Sequence, residues 1–204
     1  MRKKIRFFKQ HTLETCGAAC MLMLLDYYGK VEYPTAKMEM KLYSLYRSRA
    51  FKGMNGGEAA RCLARNGLSV HLMHSSAAMM ENRDGYFPEE LYRALFSEYR
   101  EAVEKCADSV RFTTCAVLNC ETLKQELDAG RQVMVQCIVP GDADGMHDHV
   151  LHWVVVHGYD GDAFLVCDPL SSKIRISAEA MEVYMDSPIG RIWVCVGAPT
   201  ENTP

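Results

Sequence analysis

Residues 16–29, CGAACMLMLLDYYG, decide how this chain folds. Apolar side chains fill nearly every position from Ala18 to Leu25, so no polar stripe is left to face water, and the segment reads as a helix buried on all sides. Gly29 stands where a left-handed cap would end it. A polar connector, Lys9–Thr15, leads in, with Thr15 in the position of an N-cap. The other end of the chain has a different rhythm. Residues 149–170, HVLHWVVVHGYDGDAFLVCDPL, are two β-rich runs around a Tyr-Asp-Gly-Asp turn, the signal of a hairpin. A buried helix first and antiparallel strands last is the order of an α+β fold.

The segments between fit that frame. A short strand is expected over Lys4–Phe8 and helices over Pro34–Tyr46 and Glu58–Asn66, the second introduced by the turn Gly53–Gly57 and closed by Gly67. Leu68–Met73 reads as a strand. Residues Ser75–Thr114 change character: PEELYRALFSEYREAVEKCAD carries helix formers with apolar residues at helical spacing, a helical insertion within one domain spanning 1–204. Then come a short helix ending at Gly130, a buried strand RQVMVQCIVP and a polar loop Gly141–His149. After the hairpin, Lys173–Ile176 and Arg191–Val196 supply further strands.

Composition narrows the function. The 204 residues are 49% hydrophobic and 24% charged, which excludes disordered, collagen-like and coiled-coil chains. A chain this long buries roughly 70% of its unfolded surface and needs no staples. The net charge of −3 and pI near 6.2 argue against a nucleic-acid or anionic-membrane binder. No run of eighteen apolar residues spans a bilayer, and the basic start MRKKIRFFKQH lacks the apolar stretch of a signal peptide, so a cytosolic protein is expected. The nine cysteines contain no C-x-x-C pair, which sets aside zinc-ribbon and thioredoxin readings. Most lie in apolar runs, where a reduced thiol is a small buried hydrophobe.

Cys16 differs from the other eight. It stands where a polar loop becomes the first turn of the buried helix, and unpaired N–H groups with a partial positive charge favour thiolate there. Gly17 behind it would admit a close approach. Gln10, six residues upstream, could set a side-chain N–H beside the Cys16 backbone N–H as an oxyanion hole. Four of seven histidines crowd one region: His147, His149, His152 and His157. H-D-H-x-x-H resembles a metal-ligand cluster, but in a strand His149 and His152 point to opposite faces. If the hairpin pairs so that positions sum to 320, with the turn at Tyr159–Gly161, His152 lies opposite Asp168. The carboxylate could then fix its tautomer. A two-residue loop gives an odd sum and separates the two, so this pairing requires an odd loop or a bulge.

Gln10, Cys16-Gly17-Ala18-Ala19, the run to Tyr28-Gly29, His152-Trp-Val-Val-Val and Asp168-Pro169 together resemble the papain-like double-glycine leader peptidases, which process bacteriocin precursors and are usually fused to an export transporter. GMNGGEAARCLARNGLSV and LKQELDAGRQVMVQ resemble further segments of the same family. The resemblance covers most of the chain except Ser75–Thr114. It departs at Thr15, where many members carry an acidic residue, and the expected protein is a stand-alone relative. The resemblance implies a papain-like fold, with the N-terminal helix packed on the C-terminal sheet, and a cysteine peptidase. In it Cys16 is nucleophile, His152 base, Asp168 orienter and Gln10 oxyanion donor. It implies no cofactor, no metal, and a peptide or protein as substrate. Three alternatives remain: acyl transfer to an amine or thiol by the same triad, an inactive peptide-binding module, and a metal protein built on His147, His149 and His152.

Overall fold

The computed structural model describes residues 4–140 and 149–199. Helix α1 (Cys16–Tyr27) is buried from Cys16 to Asp26, as an all-round apolar helix must be. It ends in a Schellman cap: Lys30 N–H reaches Leu25 O at 2.8 Å, Gly29 N–H reaches Asp26 O at 3.0 Å, and Gly29 takes φ +70°. Its start is not what the sequence led one to expect. Thr15 makes no side-chain cap; its Oγ1 turns back to donate to Thr12 O at 3.0 Å.

Helices α2 (Ala36–Tyr46), α3 (Gly56–Arg65) and α5 (Cys120–Asp128) begin where a short polar side chain can accept an orphan N–H: Thr35 from Met38, Asn55 from Glu58 and Asn119 from Thr122. Strand β1 (Ser69–His74) follows α3. The segment 75–114 contains a single 3₁₀ turn at Arg83–Gly85, helix α4 (Glu89–Glu104) and a three-residue strand β2 (Arg111–Thr113). It is bound into the core, with Tyr99 of α4 only 1% exposed. Strands β3 (Gln132–Pro140), β4 (His149–Asp160), β5 (Ala163–Cys167), β6 (Lys173–Ser177) and β7 (Ile192–Gly197) complete the set, with helix α6 (Ala178–Tyr184) between β6 and β7.

The seven strands form one sheet in the order β2-β1-β7-β3-β4-β5-β6. Every pairing is antiparallel except β1 with β2. Both faces are covered. Met134, Trp153, Val155, Val194 and Val196 pack with α1 to α4, while Val133, Val135, Val154, Val156 and Trp193 pack with α5 and α6. That explains why β3, β4 and β7 read as continuous apolar runs rather than alternating ones.

Residues Lys4–Phe8 are not a strand. Ile5 is buried, but its carbonyl is taken by the Lys173 ammonium at 2.7 Å rather than by a backbone ladder. Residues 141–148, most of the expected polar loop, lie outside the described residues; His149 opens β4. No helix among the described residues is long and apolar enough to cross a membrane.

Candidate active site

The N-terminus of α1 meets the β4–β5 end of the sheet. His152, 4% exposed, lies on β4 directly opposite Cys137 of β3. Its Nε2 is 2.8 Å from Asp168 Oδ1, and the Cys16 thiol lies within hydrogen-bonding reach of the same ring. With Nε2 engaged by the carboxylate, Nδ1 is the nitrogen left for the thiol. The imidazole therefore stands between a sulfur at a helix N-terminus and a buried carboxylate.

The pairing that brings His152 and Asp168 together differs from the one expected. The hairpin turns through a two-residue loop, Gly161–Asp162, with Gly161 supplying the positive φ of 59° that so tight a loop needs. The first pairs sum to 323 (Asp160 with Ala163, Tyr159 with Phe164), which alone would set His152 and Asp168 on opposite faces. A bulge at His157 then inserts one residue, and Val156 pairs with Val166 and Val155 with Cys167, a sum of 322. Carried one residue further, this register sets Asp168 level with Val154. His152 is its diagonal neighbour on the same face. The parity is the expected one; the sum of 320 and the turn at Tyr159–Gly161 are not.

Asp168 is held on both oxygens. Oδ1 also accepts the Leu170 N–H at 2.9 Å, and Oδ2 accepts the Ser171 hydroxyl at 2.8 Å. The Asp168 N–H donates to Ser172 O at 2.9 Å, so the residue both builds the turn after β5 and faces the histidine. Burial works against its charge. The bonds from His152, Ser171 and Leu170 outweigh it and hold the carboxyl below its ordinary value. For His152, burial favours the neutral ring, but the bonds to Asp168 and Cys16 prevail and push its pKa up to about 9.

Gln10 is buried and sits on the far side of the same turn: its N–H donates to Pro169 O at 2.9 Å. Its side-chain Nε2 donates to Thr12 O at 2.7 Å, which leaves the amide a second N–H, and Oε1 is buried without a partner. The first turn of α1 carries no acidic side chain and no side-chain cap, so nothing there neutralises the helix end. The space beside Gly17 is occupied by Met54: a Cβ on Gly17 would lie 3.0 Å from Met54 Cβ. Met54 is fixed in turn, its carbonyl accepting the Trp153 indole N–H at 2.8 Å. In the sequence Met54 falls in the Gly53–Gly57 turn and Trp153 in the His152-Trp-Val-Val-Val run, and neither carries a role of its own there.

Of the other candidates, His157 is the bulge residue, partly exposed, with burial lowering its pKa. His147 lies outside the described residues. Among the described residues no group of three or more His, Cys, Asp or Glu side chains could hold a metal ion. Eight cysteines are buried, Cys16 among them, and Cys115 is exposed. Burial drives the Cys20 and Cys137 thiols, the near neighbours of Cys16, well above the ordinary range.

A family model described as the Peptidase_C39 like family matches residues 2–186. The chain belongs to this family. No curated protein matches it in sequence. Its fold is shared by solved structures of peptidases. A putative C39-like peptidase from Bacillus anthracis aligns at TM-score 0.57 and 14% identity, over 97% of this chain and 96% of that one. A double glycine motif protease from an AMS/PCAT transporter, in complex with the leader peptide, aligns at TM-score 0.51 and 16% identity, over 98% and 94%. The peptidase domain of Streptococcus ComA, a bi-functional ABC transporter involved in a quorum sensing pathway, aligns at 0.51 and 14%, over 97% and 100%. The family supports a cysteine peptidase, and the fold is the expected α+β, papain-like one, with the apolar N-terminal helix against a mainly antiparallel sheet.

Proposed function

We propose that this chain is a papain-like cysteine peptidase that cleaves a peptide or leader-type substrate through Cys16, His152 and Asp168, with Gln10 as oxyanion donor. One observation carries the reading: a single buried imidazole joins the thiol at the start of α1 to a carboxylate held by three hydrogen bonds. An imidazolium that persists to about pH 9 is the form that pairs with a thiolate.

The Cys16 thiolate attacks the scissile carbonyl, and the S–C bond forms as the carbonyl electrons move to oxygen. That oxyanion is met by the Cys16 N–H and the second N–H of the Gln10 amide. His152 then gives its proton to the leaving amine as the C–N bond breaks, which leaves a thioester on Cys16. The neutral ring next takes a proton from water, the hydroxide adds to the thioester, and the sulfur leaves as thiolate. Asp168 does not change protonation; it keeps the ring turned so that Nδ1 faces the sulfur. A peptide substrate is supported by the leader-bound double glycine motif protease with which the fold is shared.

The test is a peptide library digested in ¹⁸O-labelled water with wild type and with Cys16→Ala, and read by mass spectrometry. New C-termini carrying one ¹⁸O, absent with the variant, are expected. Amine-capped termini in place of labelled acids would make the enzyme an acyltransferase. No difference from Cys16→Ala would leave a peptide-binding module instead.

A further inference from the structure

Helix α2 contributes nothing to the Cys16–His152–Asp168 set, yet it grips the loop that carries Gln10. Glu39 is wholly buried, and a carboxylate taken out of water must be compensated. The loop compensates it. Oε1 accepts the His11 backbone N–H at 3.0 Å, and Oε2 meets His11 Nδ1 at 2.5 Å. One turn further along α2, on the same face, the Tyr43 hydroxyl donates to Glu14 Oε2 at 2.8 Å. On its other side the loop is tied by Gln10 N–H to Pro169 O at 2.9 Å, and within itself by Thr12 and Thr15. The residue next to Gln10 is thus held by α2 while Gln10 itself is held by the Asp168 turn.

We infer that Glu39, acting through His11, is a positioning residue for Gln10: it fixes the point from which the Gln10 amide meets the oxyanion at Cys16. This rests on the peptidase reading. A merely connecting loop would be stable without a buried carboxylate, whereas an oxyanion donor must be held within a fraction of an ångström.

Two probes of Cys16 separate positioning from general support. With p-nitrophenyl acetate, the sulfur adds to the carbonyl, an oxyanion forms, the C–O bond breaks and nitrophenolate leaves. With iodoacetamide, the sulfur displaces iodide and no oxyanion forms. The readout is the ratio of acylation to alkylation rates at Cys16, followed by peptide mapping because Cys115 is exposed.

In Glu39→Ala and in His11→Ala the ratio is expected to fall about tenfold or more, approaching the roughly hundredfold loss expected of Gln10→Ala. Glu39→Gln, which keeps an acceptor for the His11 N–H, should recover part of it. In a Gln10→Ala background, Glu39→Ala should change the ratio less than about twofold, because both act on one donor. Should Glu39→Ala fail to fold, His11→Ala removes the ring's bond to Oε2 from the exposed side and leaves the His11 N–H on Oε1.

The inference is overturned if the ratio is unchanged, if both rates fall together, or if the effects of Glu39 and Gln10 multiply. A wild type whose Cys16 reacts with neither probe sinks the peptidase reading and this inference with it.

Discussion

Among the described residues, His152 and His74 are both buried almost completely, and their surroundings drive them in opposite directions. His152 on β4 is 4% exposed with its pKa pushed up to about 9; His74 at the end of β1 is 0% exposed with its pKa pushed down to about 4. Burial alone disfavours the charged ring in both. The difference is the partners. His74 Nε2 lies 2.5 Å from the Tyr99 hydroxyl and Nδ1 lies 2.7 Å from Met79 O, and one neutral tautomer satisfies both: Nδ1–H donates to the carbonyl and Nε2 accepts from the phenol. His152 faces the Asp168 carboxylate on one side and the Cys16 sulfur on the other, and its interactions with both favour the charged ring. The first arrangement fastens α4 to the sheet; the second, in the function proposed above, would hold a proton ready beside the nucleophile.

The contrast breaks most visibly in the reactivity of Cys16. An ordinary thiol, with a pKa near 8.5, is under about 1% thiolate at pH 6. Replacing His152 by Ala is therefore expected to slow iodoacetamide alkylation of Cys16 at pH 6 about a hundredfold, with exposed Cys115 unchanged as the internal standard. Equal rates in wild type and variant would mean that His152 holds no charge beside the sulfur.

Next in size is the dependence of stability on pH. For His152 the folded pKa lies above the ordinary 6.5, so its contribution is complete below about pH 6.5 and is lost as pH rises through about 9. For His74 the folded value lies below, so its contribution is present above about pH 6.5 and is lost as pH falls toward about 4. Each limb is worth on the order of 3 kcal/mol at its far end. Urea unfolding at pH 4.5, 6.5 and 9 should show a maximum at the middle value. Asp168→Asn should flatten the alkaline limb and spare the acid one, since the Asp168 carboxyl itself titrates below its ordinary value. An alkaline limb that survives in the variant would assign it to another group.

The smallest effect sharpens the same contrast from the other side. Tyr99→Phe removes the hydroxyl from His74 Nε2 and leaves a buried ring nitrogen without its donor, at a cost of about 1–3 kcal/mol. Urea unfolding at pH 7 measures it. Alkylation of Cys16 should be unchanged, because Tyr99 touches none of the residues proposed for the site.

Much of this was legible in the sequence wherever the cause is local. The burial of α1, its cap at Gly29 and the strands around the Tyr-Asp-Gly-Asp turn follow from composition and spacing within a few residues. Thr15 shows how local reading fails: its type is right for a cap, but its hydroxyl is already bonded to Thr12 O. Lys4–Phe8 fails for a different reason, since extended backbone becomes a strand only if a neighbouring strand accepts its hydrogen bonds. Helix α6 and the three-residue β2 were too short to stand out against their surroundings.

The candidate site divides along the same line. That a thiol at a helix start, a strand histidine and a carboxylate near a strand end were worth bringing together could be read from residue types in order. Whether His152 and Asp168 share a face depended on one bulged residue, His157, which no periodicity announces. That Glu39, twenty-eight residues beyond His11, would be buried against the Gln10 loop depended on where α2 packs. Sequence determined the pieces because helix, strand and turn preferences act over a few residues. Only the tertiary structure decided the register, the partner of each buried charge and therefore the direction of each pKa, because these are set by groups far apart in the chain and close together in a medium without water.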